Sequence, residues 1–429
     1  MKIFLDTVGC RLNQSEIERM ALEFRQAGHA IVGSMAEADM VVVNTCAVTT
    51  QAASDSRQKL RQAARMLPDR QIVATGCWAT IEPEAARAIS TNSRVVVNED
   101  KDRLVSSLLN TDLSDMDLSL IEREALPGAR HRIRAFVKAQ DGCDAHCTYC
   151  VTRVARGPSR GMPIERVLMD IRSALEGGAK EIVLSGVQLG TWGKHFSQPS
   201  NLKELVRRVL SETGVTRLRL SSIEPWDLDQ DFFRLFDDPR LCRHLHISLQ
   251  SGCASTLKRM GRLNTPDEYM ERLKWARELD PDFAITTDVI TGFPGETMDE
   301  FQQSLNFIRL AGFSGGHVFP YSERPGTPAV SLPGKVPPRV RKERAAAVRK
   351  VMTDSALDFS RRFIGKKGNV LWETSMPVEN TFFLLGYNEA YIRVTSVVDE
   401  NLINNKINVI DTVQFTGTDS HGLTGLIIT

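Results

Sequence analysis

Six of the eight cysteines in this 429-residue chain fall into two sets of three. Thiols grouped this way in so long a chain point to metal or redox chemistry rather than to disulfides. Cys143, Cys147 and Cys150 lie in "DGCDAHCTYC" with CxxxCxxC spacing. Cys10, Cys46 and Cys77 are far apart in sequence, yet each stands one or two residues past the end of an apolar, β-branched run: "IFLDTV", "MVVVNT" and "QIVATG". A tetrahedral thiolate site takes four ligands, so each set is one short. Zinc completed by His146 or by a distant residue is one reading of the first set, although His146 adjoins Cys147 and cannot easily turn toward the same ion. The other reading is a 4Fe-4S cluster with three protein-bound irons and one left open for a reactant. For the second set the alternative is inert packing, the usual state of one buried cysteine but a poor account of three in matching positions. Cys242 and Cys253 read as bystanders, the first in the core and the second at a strand end.

Distant thiols meet only if the fold carries them to one place. The amino-terminal part alternates "IFLDTV", "MVVVNT", "QIVATG" and "RVVVNE" with amphipathic stretches such as "SEIERMALEFRQAG", the pattern of a parallel sheet covered by helices. The strand ends of such a sheet share one edge, where Cys10, Cys46 and Cys77 can converge. Regularity lapses over residues 111–131, taken as a linker. A second alternating series follows: "IRAFVKAQ", "EIVLSG", "RLRLSS", "LHISLQ", "AITTDVITG" and "GHVFPY". Six βα steps predict a partial (β/α)6 barrel, with chemistry at the carboxyl ends of the strands. The cysteine triplet, "SGVQLG", "SSIEP", "LQSG", "TGFPGE" and "YSERPG" occupy those ends.

Residues 335–367 carry eleven Lys or Arg against three acids, a local balance of +8, and read mainly as one basic helix. Short strands parted by turn residues then predict a small antiparallel β-barrel. The expected fold class is therefore α/β, divided into a sheet domain (1–115), a partial barrel (130–335), a basic helical linker (336–365) and a terminal barrel (366–429). The overall charge of +1 implies no partner by itself. No apolar run approaches the 18 residues of a membrane span, and the opening residues turn polar too soon for a signal peptide. A cytoplasmic monomer is expected.

CxxxCxxC with an aromatic before its last cysteine, here Tyr149, resembles the signature of radical S-adenosylmethionine enzymes. "TVGCRLNQSE", "VNTCAVT" and "ATGCWA" resemble the three-cysteine contexts of one branch, the methylthiotransferases, and the likeness extends through a terminal barrel of the TRAM type. "GCRLNQSEIERM", "SGVQLGTWGK", "HLHISLQSGC" and "GYNEAYIRV" look most like the tRNA threonylcarbamoyladenosine enzymes. The resemblance implies two 4Fe-4S clusters. The Cys143, Cys147, Cys150 cluster would bind S-adenosylmethionine and cleave it to a radical; an auxiliary cluster on Cys10, Cys46 and Cys77 would carry the sulfur that another S-adenosylmethionine methylates. Carbon 2 of adenosine 37 would be the acceptor. Cofactor contacts are expected from Tyr149, from Ser185, Gly186 and Val187 (where the family often has Gly-Gly-Glu), from Glu224 and Gln250, and from Asp288 and Gly292 in "DVITGFPGE". The resemblance further implies a tRNA anticodon stem-loop and a reductant such as flavodoxin or ferredoxin.

The basic helix, with Arg130, Arg132, Arg134, Arg153, Arg156 and Arg160 around the cysteine loop, is expected to meet RNA phosphates. The terminal barrel has four bases against seven acids, so shape and stacking are expected of it instead. Rival readings keep the chemistry on isopentenyladenosine or on an aspartate of a ribosomal protein, or make the chain a non-catalytic metal-containing RNA-binding protein.

Overall fold

Alternation along one strand explains the amino-terminal layers. The computed structural model describes residues 1–111, 133–379 and 381–428. Its first sheet is parallel and consists of β1 (Lys2–Thr7), β2 (Ala30–Ile31), β3 (Met40–Thr45), β4 (Gln71–Gly76) and β5 (Ser93–Val96), in the order β2-β1-β3-β4-β5. The central strand β3 is buried throughout. Met40 and Val42 pack on one side with Ile17, Met20 and Phe24 of the helix Arg11–Gln26. Val41 and Val43 pack on the other with Leu60 and Ala63 of the helix Thr50–Met66 and with Trp78. Period-two side chains thus feed two cores at once, each large apolar residue contributing about 1.5–3 kcal/mol on full burial.

Two compact units make up the chain. The first comprises Met1–Ala145, Cys150–Gly214 and Arg324–Gly326; the second comprises His146–Tyr149, Val215–Glu323 and Thr327–Thr429. Beyond its sheet, the first unit holds β6 (Arg134–Lys138), β7 (Gln140–Asp141), β8 (Arg160–Gly161) and β9 (Glu181–Ser185). Here β6 and β9 pair in parallel, while β7 and β8 form a short antiparallel clip.

The second unit continues with β10 (Leu218–Leu220), β11 (Ser222–Ile223), β12 (His244–Ile247), β13 (Ala284–Thr291) and β14 (Gly315–Pro320). The last four pair in parallel in chain order, so their carboxyl ends lie along one edge. The expected parallel core is present, and all six predicted strands are found within a few residues of their sequence bounds. The basic run forms the helix Pro338–Arg361. Then β15 (Lys367–Val378), β16 (Thr381–Tyr387), β17 (Arg393–Val398), β18 (Ile410–Thr418) and β19 (Leu423–Ile427) close into a barrel in the order β15-β16-β17-β19-β18. Trp372, Leu384, Val394, Val413 and Phe415 fill it. "NKINVIDTVQFTGT" reads as one strand, but a helical turn (Ile403–Lys406) and a left-handed Asn408 (φ 65°) precede β18. Asn tolerates that conformation better than most residues. The expected linker at residues 111–131, with Arg130, falls outside the described residues except for Thr111, as does Arg132.

Candidate metal centres and cofactor site

All three amino-terminal cysteines stand at the carboxyl edge of the parallel sheet. Cys10 caps the helix Arg11–Gln26, Cys46 directly follows β3, and Cys77 opens the short helix Cys77–Ile81 after β4. Glycines let the strand ends crowd together. Gly9 (φ 98°) has no room for a Cβ, which would lie 2.4 Å from the Cys46 sulfur. Gly76 (φ 93°) would place one 2.3 Å from the Thr45 carbonyl. Asn13 ties two of these ends by donating to the Val8 and Thr45 carbonyls (2.8 and 2.9 Å). Its own Oδ1 lies 3.7 Å from the Cys10 sulfur, and Asn98 Nδ2 lies 3.8 Å from that of Cys77.

Burial raises the Cys10 thiol, and the Cys77 sulfur raises it further; burial pushes the Cys46 thiol up to about 11, with Cys10 and Cys77 adding to the effect. A positively charged inorganic centre would supply the countercharge that favours the thiolate forms of Cys10 and Cys46. Among the described residues, no three His, Cys, Asp or Glu side chains are grouped to hold a single metal ion. The donor chemistry and the shared edge fit a cluster several atoms across.

Beneath this edge lies a buried ionic network. Arg156 reaches Glu16 Oε1 (2.8 Å), Asp141 Oδ1 (2.9 Å) and Asn13 Oδ1 (2.6 Å). Lys101 meets Glu16 at 2.8 Å, and Lys138 meets Asp141 at 2.8 Å and Glu16 at 3.4 Å. Burial by itself would raise the Glu16 carboxyl, but Arg156, Lys101 and Lys138 outweigh it and hold the group well below the usual range. Arg156 is 3% exposed, so its expected role in meeting phosphate is corrected: desolvation and three partners commit it to the interior. Arg134, Arg153 and Arg160 are half-buried.

In the CxxxCxxC loop, Cys143 and Cys150 belong to the first unit and Cys147 to the second, and all three are half-buried. On the first side, Gly142 (φ 68°) passes so close to the Pro158 carbonyl that no Cβ fits. The amide of Ala145 points at the Cys143 sulfur (3.4 Å), which also lies 3.1 Å from Gln188 Oε1. On the second side, Thr148 is pinned by Met260, Arg259 and Ala329. Arg262 lies 3.9 Å from the Cys147 sulfur and is anchored by Glu224 (2.5 Å), by the Ser248 carbonyl (2.7 Å) and over the Trp226 ring (4.5 Å). Tyr149 packs edge-on against Phe293.

The remaining expected contacts are distributed unevenly. Ser185 ends β9 and is buried, with Gly186 and Val187 just beyond it; a Cβ on Gly186 would strike Gln140. Gln250 adopts φ 68° and bridges to β13 through Asp288 O and Ile290 N (2.8 and 2.9 Å). Asp288 lies inside β13 rather than beyond it, facing His246 at 3.4 Å. Gly292 is packed under Arg341, and its amide donates to Glu296. Glu224 and Gln250 follow the ends of β11 and β12. Sequence reasoning missed Asn13, Glu16, Asn98, Lys101, Lys138, Gln188 and Arg262. Only Asn13 and Glu16 left a signal, as polar residues on the apolar face of their helix.

Much of the basic run is spent internally. Arg344 is buried against Glu296 (2.8 Å), and Lys335, Arg339, Lys350, Arg361, Arg362 and Lys366 pair with Glu323, Glu343, Asp354, Asp358 and Asp282. The +8 balance therefore overstates the charge left for phosphate, because acids outside the segment answer part of it.

Residues 137–308 match the Radical SAM superfamily, and residues 2–98 match Uncharacterized protein family UPF0004. Over 399 residues the chain is 36% identical to the Thermotoga maritima protein named threonylcarbamoyladenosine tRNA methylthiotransferase MtaB, covering 91% of this chain and 90% of that one. This chain belongs to the radical S-adenosylmethionine methylthiotransferases. The Bacillus subtilis protein of the same name is 33% identical (94% and 92% covered). A tRNA-2-methylthio-N(6)-dimethylallyladenosine synthase of Acetivibrio thermocellus is 30% identical (96% and 88% covered). Among solved structures, the Kitasatospora setae radical methyltransferase TsrM superposes with a TM-score of 0.59 at 13% identity, covering 88% of this chain and 81% of that one. That likeness concerns the fold alone. The methylthiotransferase is an enzyme, which removes the non-catalytic reading. Among its described residues no helix is long and apolar enough to cross a membrane.

Proposed function

We propose that this methylthiotransferase modifies N6-threonylcarbamoyladenosine at position 37 of tRNA, with one 4Fe-4S cluster on Cys143, Cys147 and Cys150 and another on Cys10, Cys46 and Cys77. The observation that carries the substrate is near-full-length similarity to relatives bearing that activity in their names, at 36% and 33% identity. Three thiols on one sheet edge, crowded by Gly9 and Gly76, support the second centre. With S-adenosylmethionine bound, such centres supply one-electron chemistry at an unactivated carbon and a sulfur for transfer.

The chain's own residues position and shield. Arg262, fixed by Glu224, sets the position of Cys147, while the Ala145 amide and Gln188 face Cys143. In the first unit, the backbone after β9 at Ser185–Val187 is our candidate for cofactor contact. In the second, Gln250 holds a left-handed conformation at a strand end, a form of strain that concentrates at functional sites. The terminal barrel orients RNA together with the helix before it, and among the described residues Lys342, Arg349 and Lys367 show no carboxylate pairing. Electrons come from a donor of the flavodoxin or ferredoxin kind, and the cytoplasm supplies substrate and donor alike. The test is anaerobic reconstitution followed by nucleoside mass spectrometry on three substrates: tRNA bearing threonylcarbamoyladenosine, tRNA bearing isopentenyladenosine, and ribosomal protein. Methylthiolation of the first alone supports the proposal; modification of either of the others instead refutes it.

A further inference from the structure

The buried network under the amino-terminal sheet edge does not balance. Its cations are Arg156, Lys101 and Lys138, and its carboxylates are Glu16 and Asp141, all with side chains no more than 10% exposed. Two further groups join from the rim, Arg160 on Asp141 (3.5 Å) and Asp102 on Lys138 (3.2 Å), and they cancel each other. Counted over the described residues, one positive charge is left over. An uncompensated buried charge is strongly unfavourable, so such a surplus calls for a negative partner.

The partner is placed by hydrogen bonds. Arg156 holds the same Asn13 oxygen that faces the Cys10 sulfur. Asn98 spans from the Cys77 sulfur to the carbonyl of Ala155, the residue next to Arg156. Arg156 and Cys77 act on each other electrostatically, as do Arg156 and Cys10. A dicationic 4Fe-4S core on three thiolates is a monoanion overall, and reduction makes it a dianion.

We propose that Arg156 is the fixed countercharge and positioning residue of the amino-terminal centre, locked by Glu16, Asn13 and Asp141 so that its surplus charge stabilises the reduced form of the cluster held by Cys10, Cys46 and Cys77. The same guanidinium ties the Cys10 helix to Asp141, two residues before Cys143. This inference rests on the reading of those three cysteines as cluster ligands, and the experiment separates the two.

The test uses full-length protein carrying Cys143→Ala, Cys147→Ala and Cys150→Ala, so that only the amino-terminal centre remains. After anaerobic reconstitution, iron and sulfide are measured first, then the midpoint potential by electron paramagnetic resonance of poised samples. Arg156→Gln is expected to shift the potential negative, because reduction loses its cation. Glu16→Gln is expected to shift it positive, and Arg156→Lys to stay nearer the parent. Should Arg156→Gln fail to hold iron, the sign of the Glu16→Gln shift decides alone. Shifts of the same sign in Arg156→Gln and Glu16→Gln, or none with iron retained, overturn the countercharge. No iron on the parent overturns the ligand reading itself, and the countercharge with it.

Discussion

Glu224 is expected to touch the cofactor, its carboxylate pairs with Arg262 in the structure, and Glu224→Gln tells the two roles apart. The pair is 2.5 Å apart, with side-chain exposures of 1% for Arg262 and 17% for Glu224. Removing one partner of a buried pair costs about 3–5 kcal/mol. The Ser248 carbonyl and the Trp226 ring still hold the guanidinium after the change, which puts the loss near the low end, about 3 kcal/mol. For a body of this size each kcal/mol corresponds to about 2–4 °C in Tm, so calorimetry should show a fall of roughly 6–12 °C. A double-mutant cycle with Arg262→Met should return a coupling of about 0.5–3 kcal/mol. Because Arg262 also faces the Cys147 sulfur, iron retained at the CxxxCxxC loop should fall in step. A Tm within about 2 °C of the parent, additive effects in the cycle, or weakened cofactor binding at unchanged stability would refute the reasoning.

Cys147→Ala should abolish S-adenosylmethionine cleavage, whereas Cys46→Ala should leave cleavage intact and stop sulfur insertion; 5'-deoxyadenosine and modified nucleoside, quantified together, check the division. Gly9→Ala should strip iron from the amino-terminal centre alone, since its Cβ would meet the Cys46 sulfur at 2.4 Å in a left-handed conformation, and iron analysis in the CxxxCxxC-null background reads this. Arg219→Ala should lower stability by about 3 kcal/mol in denaturant titration, because the guanidinium stacks on Tyr391 (4.9 Å) and satisfies the Glu389 and Asn388 carbonyls of the terminal barrel. The Arg259 hydrogen bond holds the Glu300 carboxyl down to about 2. Its stabilisation is thus present above the ordinary glutamate value near ~4.3 and is lost as pH falls toward about 2. Unfolding measured from pH 5 downward should show a shallower acid decline in Glu300→Gln.

Periodicity carried most of the architecture. Residues 40–45 and 71–76 form strands with the bounds read from sequence, because a β-branched run buried on both faces has few other conformations open to it. The same pattern put Cys10, Cys46 and Cys77 at one edge, since parallel strands order their ends regardless of chain separation. Charge was legible only as a count. Arg156 in "VTRVARG" and Arg344 in "RKERAAA" look as solvated as their neighbours, yet both are buried against carboxylates from elsewhere in the chain, Glu16 and Glu296.

Local spacing and hydrophobic period by themselves determined the element order, the two cysteine sets and the chemistry those sets can support, because these depend on residues near one another in the chain or on a repeat that every strand shares. Only the tertiary structure decided which charges face inward and which carboxylate meets which guanidinium, Glu224 with Arg262 among them. Such pairings form between segments tens to more than a hundred residues apart, and their energy comes from desolvation, which no stretch of sequence records until the fold removes the water.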